Sequence, residues 1–503
     1  MLALVVLLSG WRLVAAYTWP DPLTDEIERM LYEQNGNDFA TPGLGMPTCA
    51  AIPGDRPPFS GRSNAAEWVR TAYHDMATAD VVAGTGGIDA SIGFESSRAE
   101  NPGLAFSESI GFFVPFQSTR ASMADMIALG AILALGKCSD GGIIVPMRVG
   151  RVDATEAGPP GVPEPQQDLD SHTAAFSRQG FNTTEMIGLV ACGHTLGGVH
   201  GNDFPDIAPA IDDNRQDFDG SFDVFDNSVA VQFVNNNTQN PLAFGKNATT
   251  NSDERIFHAD GGNLIRQMAD SNDLFLSTCA SLMERMLNTV PRTVELSEPV
   301  EPRAVKPRFL RLDVNTGNDT ITLAGSIRIM NDDRTSINRT VFLDFQSRDA
   351  ATCLSSGLAT CEYSVQAQRT SASHTWTGLY PGMPSFYEYN FETNVPASIG
   401  VSSFNIRLQD GETTITETNG GAGYPWDDTL QPQLDRSCIG IPETAGGWRN
   451  VTVAVRRQGC SHLTTRSVLI VVLIAGARRR KHHRPYSLIQ LAGAPRWRAR
   501  TSD

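Results

Sequence analysis

A change of texture at residues 295–307, where three prolines stand among charges, divides this 503-residue chain into two segments of different periodicity. Before it, apolar residues recur at helical spacing; beyond it they alternate, and no single backbone conformation serves both patterns. A chain this long also exceeds one ordinary core, so two domains are expected. In the first segment the spacing predicts a helix over 65–76, with Trp68, Ala72 and Met76 on one face and Asn64 as cap. A Gly-rich loop, 82–91, follows. A second helix, 122–135, is capped by Ser122 and stops at Gly136. A Pro-rich loop covers 158–165, and Asn182 or Thr183 caps a helix over 185–192. Shorter helices are expected at 256–260 and 264–268, and a longer one at 271–288. Beyond the linker, β-branched alternation marks strands at 309–314, 319–330, 340–345, 363–368, 404–408, 412–417 and 451–456. The expected organisation is a mostly α domain over 17–294, the linker 295–307, and a smaller all-β, sandwich-like domain over 308–465.

The N-terminus, 1–16, reads as a secretory signal: an apolar run from Leu2 to Leu8, then small residues Val14, Ala15 and Ala16 before Tyr17. Six Asn-x-Ser/Thr sequences (Asn182, Asn236, Asn247, Asn318, Asn338, Asn450) and eight cysteines suit the same oxidising, extracellular route. Cys353 with Cys361, and Cys438 with Cys460, are close-spaced pairing candidates. Cys192 and Cys279 are left free or paired. A formal charge of −16 leaves no dominant basic surface, which excludes a nucleic-acid binder. Residues 468–475 are apolar but too few to span a bilayer, so no transmembrane span is expected. No role is assigned to the basic tail, 466–503.

Two motifs carry chemistry. Arg70-Thr71-Ala72-Tyr73-His74-Asp75 sets a fixed cation one helical turn before an imidazole, so both can face one pocket. Ala191-Cys192-Gly193-His194-Thr195-Leu196-Gly197-Gly198 ends an apolar stretch with a second imidazole, followed by small residues that admit a close neighbour. No His-Glu-x-x-His spacing suggests a zinc hydrolase. In this order, over about 66–290, the pair resembles the distal and proximal histidine motifs of the plant, fungal and bacterial haem peroxidases, and of their secreted fungal members in particular.

That resemblance implies one haem b per chain, hydrogen peroxide as oxidant and small phenolic or aromatic donors, oxidised through high-valent iron-oxo states. It makes His74 the proton shuttle, Arg70 the stabiliser of developing negative charge, and Asn101 the acceptor that sets the His74 tautomer. His194 becomes the iron ligand and Asp253 its carboxylate partner. Two structural Ca²⁺ ions are implied, one held by Asp75, Gly87, Asp89 and Ser91, the other by Thr195, Asp219, Ser221, Val224 and Asp226. The resemblance further implies a Cys49–Cys138 bridge and a buried Asp125–Arg151 ion pair. Departures narrow the donor. Glu67 matches one carboxylate of a manganese site, but Ser63 and His200 stand where the other two belong. The surface tryptophan of lignin peroxidases falls near Leu189, and 208–211 fills the stretch of the proximal tryptophan of cytochrome c peroxidase. Tyr73 replaces the usual Phe or Trp beside the distal histidine and could host a radical. His172, His258, His374 and His200 are assigned to the core. A second reading makes the β-rich domain a binder of cell-wall polysaccharide or a partner, and the helical domain a haem-carrying scaffold.

Overall fold

The computed structural model describes residues 17–34, 41–51, 61–209, 215–315, 318–331, 339–348, 353–354, 361–370, 378–428, 430–440, 448–456, 463–464 and 470–471. The expected signal segment, His374, Cys460 and nearly all of the tail lie outside them. Two compact units emerge. One comprises Pro22–Pro302 with Trp376–Ser385; the other comprises Met1–Asp21, Arg303–Thr375 and Phe386–Asp503.

The first unit holds helices α1 (Asp25–Tyr32), α2 (Asn64–Met76), α3 (Ile92–Glu95), α4 (Ala105–Phe113), α5 (Met123–Cys138), α6 (Leu169–Arg178), α7 (Thr183–Gly193), α8 (Ser228–Val234), α9 (Ser252–Phe257), α10 (Asn263–Asp270) and α11 (Asn272–Leu287). Its described strands are β1 (Gly198–His200) and β2 (Arg215–Asp217), paired antiparallel. Helix α5 is apolar on all sides and only Lys137 escapes full burial, which places it in the middle of the core. Trp68, Ala72 and Met76 turn α2 inward against the same core, leaving Arg70 and His74 on another face. Ser122 caps α5 by accepting the Asp125 N–H at 3.0 Å. Asn182 and Glu185 cap α7 reciprocally.

Two local expectations are corrected. Ser63, not Asn64, is the N-cap of α2, and no side chain caps the helix, the Ser63 hydroxyl donating to the Cys49 carbonyl and the Asn64 amide to the Gly45 carbonyl. Helix α5 runs past Gly136 to Cys138. That glycine serves packing, since a Cβ there would meet the Tyr380 ring at 2.2 Å. Helices cover 33% of the described residues of the two units together, which does not confirm the mostly α composition expected of the first, and long loops connect its helices.

The second unit is built around a curled antiparallel sheet. Its strands are β3 (Val305–Val314), β4 (Thr320–Asn331), β5 (Thr340–Gln346), β6 (Glu362–Arg369), β7 (Ser385–Pro396), β8 (Ser403–Asp410), β9 (Thr413–Glu417) and β10 (Tyr424–Pro425). They run in the order β10-β8-β5-β6-β7-β4-β3, with β9 also on β8. Alternate residues such as Leu323, Leu343, Phe345, Phe404 and Ile406 point to one core, as period-2 patterning requires. The layering expected of a sandwich is thus made by one sheet curling over its own interior. A smaller sheet, β11 (Leu430–Gly440), β12 (Trp448–Arg456), β13 (Leu463–Thr464) and β14 (Ile470–Val471), adjoins β3, where buried Gln433 exchanges hydrogen bonds with Val314 N–H and the Leu312 carbonyl. Residues 17–21 also belong here, Trp19 packing beside Tyr424 and bonding to Asn419.

Cys49–Cys138, Cys353–Cys361 and Cys192–Cys279 are bridged. The third pair, left open by the sequence, ties α7 to α11 across 87 residues. Closing so long a loop restricts the unfolded chain. Replacing Cys192 and Cys279 together by serine is therefore expected to cost about 2–4 kcal/mol, read as a lower denaturant midpoint. An unchanged midpoint would mean that this bridge contributes nothing.

Candidate active site

Arg70 and His74 lie one turn apart on α2 and line a cavity of about 610 Å³, a volume typical of small-molecule and cofactor sites. Apolar walls come from Leu189, Leu196, Phe218, Ile256, Met283 and Met286. His74 Nδ1 stands 2.7 Å from Asn101 Oδ1. The Asn101 amide is itself oriented, because its Nδ2 donates to the Glu95 carbonyl at 3.2 Å. Oδ1 must therefore accept, His74 carries its proton on Nδ1, and Nε2 keeps a lone pair. Burial pushes the imidazole down to about 3, with the Arg70 charge adding to the effect and the Asn101 bond opposing it. Burial also brings Arg70 down to about 10, which still leaves it charged at neutral pH. Its guanidinium lies over the Phe106 ring at 4.6 Å and donates to the Pro102 carbonyl at 3.1 Å.

A second imidazole lines the same cavity. His194 follows the last turn of α7, and its Nδ1 is 2.8 Å from Asp253 Oδ2 on α9. A carboxylate can only accept here, so this histidine too is held as the Nδ1–H form with Nε2 free. Phe218 stacks on the ring at 4.5 Å and 17°. The small residues after His194 have a clear task. Gly197 sits at φ 76°, and a Cβ on Gly198 would lie 2.2 Å from the Gln216 carbonyl oxygen, so β2 can close beneath the imidazole only if these stay glycine.

Oxygen-rich clusters flank both histidines. Asp75, wholly buried, accepts N–H bonds from Asp89, Ala90 and Ile92 at 2.8–3.0 Å. Burial and the Asp89 carboxylate push its carboxyl up to about 8 despite those bonds. Asp89 accepts the Ser91 N–H, and Gly87 joins through Thr78, whose hydroxyl bonds the Asp75 carbonyl. In the other cluster Thr195 donates to the Asp226 carbonyl at 2.6 Å. Ser221 bridges Asp219 and Asp226, and the Val224 N–H bonds the Ser221 carbonyl. Burial pushes Asp219 up to about 7. Ser91 Oγ and Asp219 Oδ2 are buried without a hydrogen-bond partner among the described residues. No group of three or more His, Cys, Asp or Glu side chains placed to hold a metal occurs among the described residues, so each cluster is a carboxylate pair with hydroxyl and carbonyl oxygens.

Several neighbours escaped the sequence reading. The guanidinium of Arg62 pairs with Glu67 and reaches Asp203 at 3.3 Å, yet burial still raises the Glu67 carboxyl and leaves its Oε2 without a hydrogen-bond partner among the described residues. Phe218 lies beyond 208–211, and Asn240, far from any motif, donates to Asp253 at 2.7 Å. His172 is buried as expected, with Nε2 2.9 Å from the Glu164 carbonyl, but it and His200 both line the cavity and each has a buried Nδ1 without a partner among the described residues. His258 is exposed at the surface, not in the core. Tyr73 is enclosed beside Phe176, and its hydroxyl donates to Gln179 Oε1 at 3.5 Å. Asp125 and Arg151 form a buried pair at 2.9 Å.

Residues 57–271 match the family model described as Peroxidase. A WSC domain-containing protein of Arthroderma benhamiae is 38% identical over 422 residues, 81% of this chain and 55% of that protein. This chain therefore spans about half the length of that relative. L-ascorbate peroxidase 5, peroxisomal, of Arabidopsis thaliana is 30% identical over 44% of this chain and 74% of its own length. Manganese peroxidase 3 of Phlebia radiata is 31% identical over 33% of this chain and 46% of its own.

With its proton affinity lowered to about 3, His74 should remain neutral through mild acid, whereas the unfolded chain protonates the same ring near its ordinary 6.5. The fold then binds fewer protons at this position, so this group destabilises it progressively as pH falls below 6.5. NMR titration of the His74 ring should show no protonation step between pH 8 and about 4. A step near 6.5 would contradict the enclosed site.

Proposed function

The chain belongs to the plant, fungal and bacterial haem peroxidase superfamily, and we propose that it is a secreted haem b peroxidase that reduces hydrogen peroxide and oxidises small phenolic or aromatic donors. One observation carries the reading. Two imidazoles line one cavity, each fixed as the Nδ1–H form with Nε2 free, one beside a buried guanidinium and the other backed by a buried carboxylate.

The residues suit the haem. His194 Nε2 would hold the iron, the apolar walls would take the macrocycle, and Asp253 would keep the ligand electron-rich through its Nδ1–H bond. Bound haem supplies the redox centre that takes oxidising equivalents from peroxide and passes them to the donor. On the other wall, the neutral His74 Nε2 can accept the proton of one peroxide oxygen and return it to the departing one. Asn101 keeps that lone pair aimed into the cavity, and Arg70 offsets the negative charge that builds on the leaving oxygen. Glu67, paired with Arg62, and the neighbouring Ser63 and His200 argue for an organic donor over Mn²⁺.

The oxygen clusters suit Ca²⁺. Each offers two carboxylates, hydroxyl and carbonyl oxygens, and one buried oxygen with no protein partner, as a hard cation requires. Raised Asp75 and Asp219 carboxyls mark places where burial is not balanced by protein cations. Secretion is supported by the N-terminal apolar run and the three bridges. No helix among the described residues is long and apolar enough to cross a membrane. The β-rich unit, which carries no catalytic motif, supports a second reading, a haem-carrying scaffold in which that unit binds cell-wall polymer or a partner. A scaffold would leave the haem absorption unchanged on adding peroxide, whereas an enzyme changes it.

His74→Ala should retain haem and slow the reaction with peroxide by about 10²–10⁴-fold, with Arg70→Ala slowing it less because the proton shuttle survives. Stopped-flow rates equal to wild type in His74→Ala would overturn the assignment. Treatment with EDTA should lower activity and thermal stability together, and added Ca²⁺ should restore both, since Asp75 and Thr195 each adjoin a histidine. Fully active protein free of calcium on metal analysis would remove the calcium proposal alone.

A further inference from the structure

We propose that Asn240 is a positioning residue of the proximal pair, donating to Asp253 so as to limit how strongly that carboxylate draws the His194 Nδ1 proton. The inference rests on His194 as the haem ligand. Asp253 is fully buried, and its Oδ2 accepts from two directions, His194 Nδ1 at 2.8 Å and Asn240 Nδ2 at 2.7 Å. Among the described residues its other oxygen receives only the adjacent Ser252 hydroxyl, at 3.3 Å. Hydrogen bonds to an ionised carboxylate favour that form and lower its basicity. Asn240 therefore competes for the lone-pair density on the very oxygen that polarises the imidazole.

The amide has one sensible orientation. Asn240 Oδ1 accepts the Leu242 N–H at 2.8 Å, so a flip would set oxygen against carboxylate and NH₂ against N–H at once. The turn that carries Asn240 is tied to the same aspartate a second time, because the Asp253 N–H donates to the Leu242 carbonyl at 2.9 Å. Asn240 itself is 1% exposed. The aromatic neighbour of the pair cannot take over this task. Phe218 stacks on His194 but has no hydrogen to donate, so the amide is the second donor that this carboxylate receives from outside its own helix. A stronger Asp253–His194 bond would make the imidazole more anionic and stabilise the ferric state; a weaker one would do the reverse.

The test uses the intact haem-loaded protein and reads the Fe(III)/Fe(II) reduction potential with the iron–histidine stretching frequency. Asn240→Leu removes the competing donor at similar volume. It should lower the potential and raise the stretch, while Asp253→Asn should move both the opposite way. A merely structural role predicts otherwise: loosening the turn would release Asp253 and raise the potential, as Asp253→Asn does. A raised or unchanged potential in Asn240→Leu therefore overturns the proposal. Should that variant fail to fold, Asn240→Ser is read instead. A serine hydroxyl can still accept the Leu242 N–H two residues on but falls short of the carboxylate, and the same lowered potential is expected. The underlying reading is separated by His194→Ala. If that variant keeps the wild-type haem spectrum and stretch, His194 is not the ligand and the inference about Asn240 falls with it.

Discussion

Asp253 sits with no solvent exposure at the junction of α9, the end of α7 and the turn at Asn240, and its carboxylate is the group that the proximal half of the cavity is arranged around. An ionised carboxylate in such a place is stable only when its lone pairs are engaged by donors held at the right distance. His194, Asn240 and Ser252 supply them. Each donor is in turn fixed by backbone: His194 by the last turn of α7, Asn240 by its bond to Leu242. The imidazole is thus held by what the carboxylate needs as much as by its own packing, and Phe218 closes the remaining face.

The opposite wall solves a different problem. His74 has to remain a neutral base in a buried place beside a guanidinium, and both burial and Arg70 push it that way. Asn101 contributes orientation more than charge, since its carbonyl oxygen holds Nδ1–H and leaves Nε2 toward the cavity. Charge placement therefore differs across the cavity. A cation and a neutral base face one side; an anion backs the imidazole on the other. In the function proposed for the chain, this asymmetry would polarise a bound oxidant from both ends.

Acidic loops next to each histidine complete the arrangement. Asp75 follows His74 and Thr195 follows His194, so any force that orders the Asp89 or Asp226 loop also fixes the backbone bearing an imidazole. Burial, with the Asp89 carboxylate beside it, raises the Asp75 carboxyl, so the N–H bonds it accepts do not offset the cost of enclosing a charge there. Gly198, four residues after His194, extends the same logic by letting β2 approach where any side chain would collide.

Much of this was legible in the chain itself. The i,i+4 spacing of Arg70 and His74 sets both on one helical face whatever surrounds it, and the caps at Ser122 and Asn182 follow from hydroxyl and amide chemistry within four residues. Alternation beyond 307 likewise specifies strands, because period 2 is a property of the backbone. Interactions between distant segments carry no such periodicity. The Cys192–Cys279 bridge, the stacking of Phe218 on His194, the Arg62–Glu67 pair and the Asn240 bond to Asp253 each join residues whose separation is set by how loops close. Gly136 shows the limit most plainly. Its sequence context reads as a helix stop, yet the helix continues, and the residue is glycine because a tyrosine from a distant loop occupies the space a side chain would need. Local stereochemistry determined which residues could act together on one element; only the packing of elements decided which partner each buried polar group would find.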